Sequence, residues 1–155
     1  MMSFVEQIPR FIWRLMRLPP QLAYALGFGS IIGRGVLLLK TSGRRTHRLR
    51  VTPLQYEKVG DCYQIAAARG MKTDWLRNIL ADPNVEIRVG AQRLQARAEV
   101  IRDPGLIADF LALRLRNRPR FVGMIMRIEG FPSQPEREDL EVYAARRVMV
   151  VLKPG

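Results

Sequence analysis

Four arginines crowd one short stretch, Thr41-Ser-Gly-Arg-Arg-Thr-His-Arg-Leu-Arg-Val-Thr-Pro-Leu54. Arg44, Arg45, Arg48 and Arg50 fall on a loop between two strand-like runs, and Gly43 lets the chain turn there. A turn exposes backbone N–H groups that complement an anion. Guanidinium forks add charge-assisted, bidentate hydrogen bonds. That is the chemistry of a phosphate or polycarboxylate grip; the alternative is a hairpin tip with solvated charges. A second stretch, Ala66-Ala-Ala-Arg-Gly-Met-Lys-Thr-Asp-Trp75, leaves a strand through small residues and enters a helix. The backbone from Ala66 to Gly70 can lie against a flat ring, and a helix N-terminus favours an anion. Trp75 either packs on that ring or fills the core.

Other catalytic sets are sparse. The chain has one histidine, His47, and one cysteine, Cys62. A Ser-His-Asp relay is restricted to the surroundings of His47, and a disulfide framework or a Cys-rich zinc site is excluded. No metal site is expected. Cys62 lies in a strand-like run, where a thiol is buried and inert. Glu136, Glu138, Asp139 and Glu141 read as the acidic start of a helix. An enzyme built from these residues needs a cofactor for its chemistry.

The 155 residues suit a single domain with its own core, and 48% hydrophobic with 26% charged residues is ordinary globular usage. The net charge of +12 is not ordinary, and 22 of the 26 basic residues are arginine. The excess gathers before residue 57 and around Arg114–Arg127, and it favours an anionic partner. Nucleic acid is not expected, because few aromatic residues interleave with the arginines and no recognition motif is present.

The elements that must position the two stretches follow from periodicity. Residues 1–34 read as short amphipathic helices and a glycine-rich stretch, and 35–155 as the core of the domain. Residues 9–18 carry Phe11, Ile12, Leu15, Met16 and Leu18 on one face against Arg10, Arg14 and Arg17. Such a face lies on an anionic membrane, on the domain's own core or on a second copy. No run of about 18 apolar residues is present to span a bilayer, and no secretion signal is evident. Residues 36–41, 50–59 and 62–68 read as strands, with Pro53 marking an edge or a bulge. A helix over 72–81 has Thr73 or Asp74 at its start and Trp75, Leu76, Ile79 and Leu80 as its apolar stripe. Residues 84–101 form a hairpin turning at Gly90-Ala91. Helices follow over 106–115, 120–128 and from Gln134-Pro135 to about Ala145, and 148–152 is a last strand. Six strands joined mostly by hairpins predict an antiparallel sheet or small barrel with peripheral helices.

With these elements in place, the run Leu37 to Tyr56 resembles the first motif of the deazaflavin-dependent nitroreductase and quinone reductase family, roughly LLTTTGRKSGxPRxTPLxY. Ile65 to Asn78 is similar to its second motif, VASKGG…PxWYHN, and Asp82 to Gly90 to its ANPxVxVxxG continuation. The resemblance spans about residues 35–101. The chain departs from it at His47, where the family usually has glycine, in a shorter loop from Gly70 to Trp75, and at Leu76-Arg77 in place of Tyr-His.

The resemblance implies a six-stranded split β-barrel of the FMN-binding, pyridoxamine-phosphate-oxidase type. It implies coenzyme F420, a deazaflavin with a phosphate and a polyglutamate tail, with FMN as the alternative. It implies an oxidoreductase that passes a hydride from reduced F420 to a small electrophilic acceptor such as a quinone or nitroaromatic. Arg44, Arg45, Arg48 and Arg50, with Thr52 and Pro53 of the same motif, would hold phosphate and tail. Ala67, Ala68, Arg69, Gly70 and Trp75 would meet the ring, and Lys72 would add charge. Tyr24, Tyr56 and Tyr143 are the candidates beside the acceptor. Such a protein is expected in the cytoplasm, as a homodimer, with residues 1–18 touching the inner face of the membrane. The rival reading on the same barrel is a non-catalytic carrier of FMN, haem or lipid.

Overall fold

The computed structural model describes residues 35–67 and 69–155. The amphipathic helices expected before residue 35, the membrane contact expected of residues 1–18, Tyr24 and Ala68 lie outside the described residues.

In chain order, β1 (Val36–Ser42), β2 (Leu49–Gln55), β3 (Glu57–Val59) and β4 (Cys62–Ala67) precede a single 3-10 turn, Gly70–Lys72, and α1 (Asp74–Ala81). Next come β5 (Asn84–Val89), β6 (Gln92–Ile101), α2 (Pro104–Asn117), α3 (Pro119–Ile128), α4 (Arg137–Ala144) and β7 (Val148–Pro154). All seven strands join one antiparallel sheet in the order β2-β1-β5-β6-β7-β4-β3. The sheet has seven strands where six were expected, because the run 50–59 is broken at Tyr56. There the backbone N–H of Tyr56 donates to the Gly35 carbonyl at 3.1 Å, a last rung in the β1–β2 register, and the chain then leaves β1. The chain thus passes from one sheet edge, β2, to the other, β3. Across that gap the rings of Tyr56 and Tyr63 meet edge to face at 5.3 Å. The sheet is therefore curled, with a concave and a convex face.

Sequence patterns explain the layering. β5 and β6 alternate, with Val85, Ile87, Ala96 and Ala98 buried between charged neighbours, as strands covered on one face do. β7 is apolar at every position from Val148 to Leu152 because both faces are covered. Val148, Val150 and Leu152 enter the concave core, while Met149 and Val151 enter a second cluster under the helices. α1 fills the concave side with Trp75, Leu76 and Ile79 against Leu37, Leu39, Ile65 and Ile87. α2, α3 and α4 cover the other face through Ile107, Phe110, Val122, Met126 and Leu140. Pro53, which cannot donate to a ladder, sits on the edge strand β2 opposite Leu38.

Helix ends follow side-chain chemistry. The Asp103 carboxylate caps α2 by accepting from the N–H of Gly105 (2.8 Å) and Leu106 (3.3 Å), with Pro104 in the first turn. Glu136 and Asp139 form a reciprocal capping box on α4, which accounts for the acidic cluster. Among the described residues, no helix is long and apolar enough to cross a membrane.

Candidate functional site

The β1–β2 connection is a tight turn. The Gly43 N–H donates to the Arg48 carbonyl at 2.8 Å, and the His47 N–H donates to the Gly43 carbonyl at 2.9 Å. A Cβ on Gly43 would stand 3.1 Å from both the Arg48 carbonyl and Thr46 Oγ1, so a side chain there would make the turn give by a few tenths of an ångström. His47 takes φ +56° and is the one described non-glycine residue in the left-handed region. The departure from the family's glycine therefore falls where glycine is sterically favoured.

The four arginines divide into one and three. Arg44 folds back on α1: its backbone N–H and its Nη1 both donate to Asn78 Oδ1, at 3.2 and 3.1 Å, and its Nη2 lies 3.4 Å from Asp74 Oδ1. Arg45, Arg48 and Arg50 are exposed and meet no carboxylate among the described residues. Arg50 pairs with Thr41 and Thr52 with Leu39 in the ladder. Cross-strand partners share a face, so Arg50 and Thr52 start from the concave side, where Thr41 and Leu39 are buried. Pro53 starts from the opposite face and is itself buried.

The second stretch behaves as a short flap. β4 ends at Ala67, whose methyl belongs to the concave core. Arg69 is exposed and Gly70 has φ +55°, which admits the 3-10 turn that follows. Two arginines brace that turn: Arg77 Nε donates to the Met71 carbonyl at 2.9 Å, and Arg102 Nη2 approaches Met71 Sδ at 3.4 Å. Lys72 is exposed. Thr73 takes the N-cap position of α1 as expected, yet its hydroxyl caps nothing. That Oγ1 is buried with no hydrogen-bond partner among the described residues. Trp75 is packed in the core cluster, 8% exposed.

The structure separates the tyrosines. Tyr56 lies at the β2–β3 break on the concave side, where burial pushes its phenol above the ordinary value and Tyr63 adds to the shift. Tyr143 lies under the convex helices, with the Arg147 guanidinium 4.3 Å from its ring and Phe131 edge-on at 5.3 Å. Burial raises the Tyr143 phenol strongly, against the opposing charge of Arg147. Both phenols are protonated donors at neutral pH.

Two buried polar centres were missed by reasoning from sequence. One is Asn78, 4% exposed, which also donates from Nδ2 to Thr41 Oγ1 at 3.2 Å. Its signal is an amide inside the apolar stripe of Trp75, Leu76 and Ile79. The other is Glu57, 6% exposed. It lies 3.6 Å from the buried Arg114 and 3.9 Å from Arg118, and it accepts from Asn117 Nδ2 at 2.7 Å. Arg114 also donates to Gln55 Oε1 at 2.6 Å. This cluster ties the α2–α3 corner to the β2–β3 break; its signal is Arg114 and Arg118 at helical spacing.

Against known proteins, residues 25–128 match the family model described as F420H(2)-dependent quinone reductase. The chain is 40% identical over 68 residues to the F420H(2)-dependent quinone reductase Rv1261c of Mycobacterium tuberculosis. That alignment covers 42% of this chain and 46% of the relative, so the chain spans about half the length of the curated relatives it matches. Among solved structures, an F420-H2 dependent reductase superposes with a TM-score of 0.52 at 18% identity, over 76% of this chain and 94% of that one. A pyridoxamine 5′-phosphate oxidase-like chain from Listeria innocua gives a TM-score of 0.51 at 11% identity, over 84% and 90%. At these identities the likeness concerns the fold, and the fold is the split barrel expected of the sequence. The matched span holds the arginine turn, the flap and α1 together, and on that match the chain belongs to the F420H(2)-dependent quinone reductase family.

Proposed function

We propose that this protein is a cytoplasmic oxidoreductase that uses reduced coenzyme F420 to reduce a quinone, or another electrophilic acceptor of that kind such as a nitroaromatic. The observation that carries the reading is the contact of Arg44 with Asn78 and Asp74. It draws the arginine turn onto the helix that begins at the flap, so two loops rich in free cations lie on one helix end.

The donor set fits an anionic, ring-bearing cofactor. Arg45, Arg48 and Arg50, which meet no carboxylate among the described residues, offer guanidinium forks for phosphate and carboxylates. Lys72 adds a mobile cation, and Thr73 holds an unused hydroxyl beside it. The backbone of Ala67, Ala68, Arg69 and Gly70 would meet the ring, and Arg69 would extend the charge. Trp75 stays in the core at the start of α1. Tyr56, a phenol kept protonated by burial on the concave side, would face an acceptor, whereas Tyr143 under the convex helices would not. When bound, reduced F420 supplies a hydride, and with one proton from the site or from water a quinone leaves as its quinol. The chain's own part is to bind the anionic end, hold the ring still and orient the acceptor.

The test is an anaerobic assay in which reduced F420 is mixed with a short-chain quinone or a nitroaromatic. Oxidation of F420 that depends on both protein and acceptor supports the reading, and the acceptor oxidised against most rapidly names the substrate class. No protein-dependent oxidation with any acceptor would overturn it. Assembly as a homodimer belongs to the same proposal, and sedimentation velocity decides it.

A further inference from the structure

We propose that Asn78 and Arg44 form a latch that sets the shape of the arginine turn, so that Asn78 is a positioning residue for the anion grip and Arg44 a strut within it. The inference rests on the reading of this region as a cofactor site, and it changes Arg44 from a ligand-facing cation to one engaged by the protein's own side chains.

A side-chain amide has two ends, and both are used here. Asn78 Oδ1 receives two donors from one residue, the Arg44 backbone N–H at 3.2 Å and its Nη1 at 3.1 Å. Asn78 Nδ2 donates to Thr41 Oγ1 at 3.2 Å, one turn-length back along the same strand. Thr41 is 2% exposed and Asn78 is 4% exposed, so water cannot cheaply replace the bond between them. The amide thus pins both sides of the turn's first limb: the last buried residue of β1 and the first arginine after Gly43. Asp74 Oδ1, 3.4 Å from Arg44 Nη2, closes the other end of the guanidinium. Arg44 therefore has its fork engaged by Asn78 and, at a solvent-exposed contact, by Asp74, while Arg45, Arg48 and Arg50 leave the same turn without a carboxylate partner among the described residues. Fixing one residue of a six-residue turn removes freedom from the rest, so the three free forks reach an anion with less ordering to do. The amide is also specific for this task. Leucine would fill the space but offer no acceptor, and aspartate would keep the acceptor for Arg44 while Thr41 turns its hydroxyl round to donate.

The test uses the full chain as wild type and as Asn78→Leu, Asn78→Asp, Arg44→Ala and the Asn78→Leu/Arg44→Ala double variant. Hydrogen exchange is followed by mass spectrometry, and F420 is titrated beside a deazaflavin lacking phosphate and tail. The latch predicts at least tenfold faster exchange over residues 43–49 in Asn78→Leu and Arg44→Ala, with the 84–101 hairpin unchanged. It predicts at least tenfold weaker F420 binding in both, no further loss in the double variant, and unchanged affinity for the phosphate-free ring. Asn78→Asp should stay within threefold of wild type throughout. Unchanged exchange over 43–49 would overturn the latch. So would equal deprotection of the whole sheet, which would make Asn78 an ordinary core residue. So would a loosened turn that still binds F420 as wild type does. Failure of the wild type to bind F420 would sink the cofactor reading instead, and the exchange arm alone then decides the latch.

Discussion

Arg44 and Asn78, 34 residues apart, meet through three atoms: the arginine's backbone nitrogen and Nη1 both donate to the single oxygen Asn78 Oδ1. The contact joins the β1–β2 turn to α1 and brings two separate sequence motifs into one place. It also leaves a clear division of labour, with one arginine spent on structure and three facing solvent.

The free cations should carry the affinity for the anionic end of the cofactor. Arg50→Ala combined with Lys72→Ala is expected to weaken F420 binding by at least ~2 kcal/mol, since hydrogen bonds to charged groups are worth ~1.5–3 kcal/mol each. That is roughly a 30-fold rise in Kd. Fluorescence titration reads it, and an unchanged Kd would remove these two residues from the grip.

The backbone of His47 offers a test of the turn's geometry. At φ +56° a β-branched side chain is strained. His47→Val is expected to lower stability by about 1–2 kcal/mol. His47→Gly should match or exceed wild type, because the relief of strain offsets the greater freedom of the unfolded chain. Urea midpoints of the two variants should therefore move in opposite directions or differ by at least that amount.

Glu57 should be among the costliest positions to truncate. Removing it strands Arg114 in the interior beside Arg118, and leaving a buried charge uncompensated costs about 3–5 kcal/mol. Glu57→Ala should show that loss in denaturant unfolding. Replacing Glu57 and Arg114 together by Gln and Met should recover part of it, because the unpaired charge is then gone.

Alkaline pH should destabilise the protein through its buried phenols. The folded-state pKa of Tyr143 lies above the ordinary 10.0 because of burial, and that of Tyr56 is raised for the same reason. A raised pKa means the stability is fully present below pH 10 and is lost as pH rises from there toward the folded value. Thermal melts between pH 8 and 11 should fall with pH, and Tyr143→Phe should flatten the upper part of that curve. A Tyr143→Phe curve parallel to wild type would show that the phenol is not held protonated by the fold.

Local patterns made much of this fold legible. The 84–101 hairpin is written in strict alternation, Asp103-Pro104 announces α2, and Pro53 points to the edge strand. The break at Tyr56 was not legible, because alternation runs on through residue 56 while the chain crosses there from one sheet edge to the other. The arginine turn stood out by charge, but charge alone treats Arg44 like its neighbours. Its fate is set by an asparagine on another element, and no spacing rule links residues 44 and 78. Trp75 could be read as ring support or core filler; the depth of the α1 stripe places it in the core. The phenols carried even less signal, since only the curl of the sheet shows that Tyr56 and Tyr143 lie on opposite faces.

The most direct measurement is a fluorescence titration of the purified protein with F420, run beside FMN under the same conditions. Micromolar or tighter F420 binding, with FMN clearly weaker, is the predicted result, because the turn and flap present exposed cations for a phosphate and a polycarboxylate tail. No F420 binding at micromolar levels, or FMN binding as tightly, would contradict it.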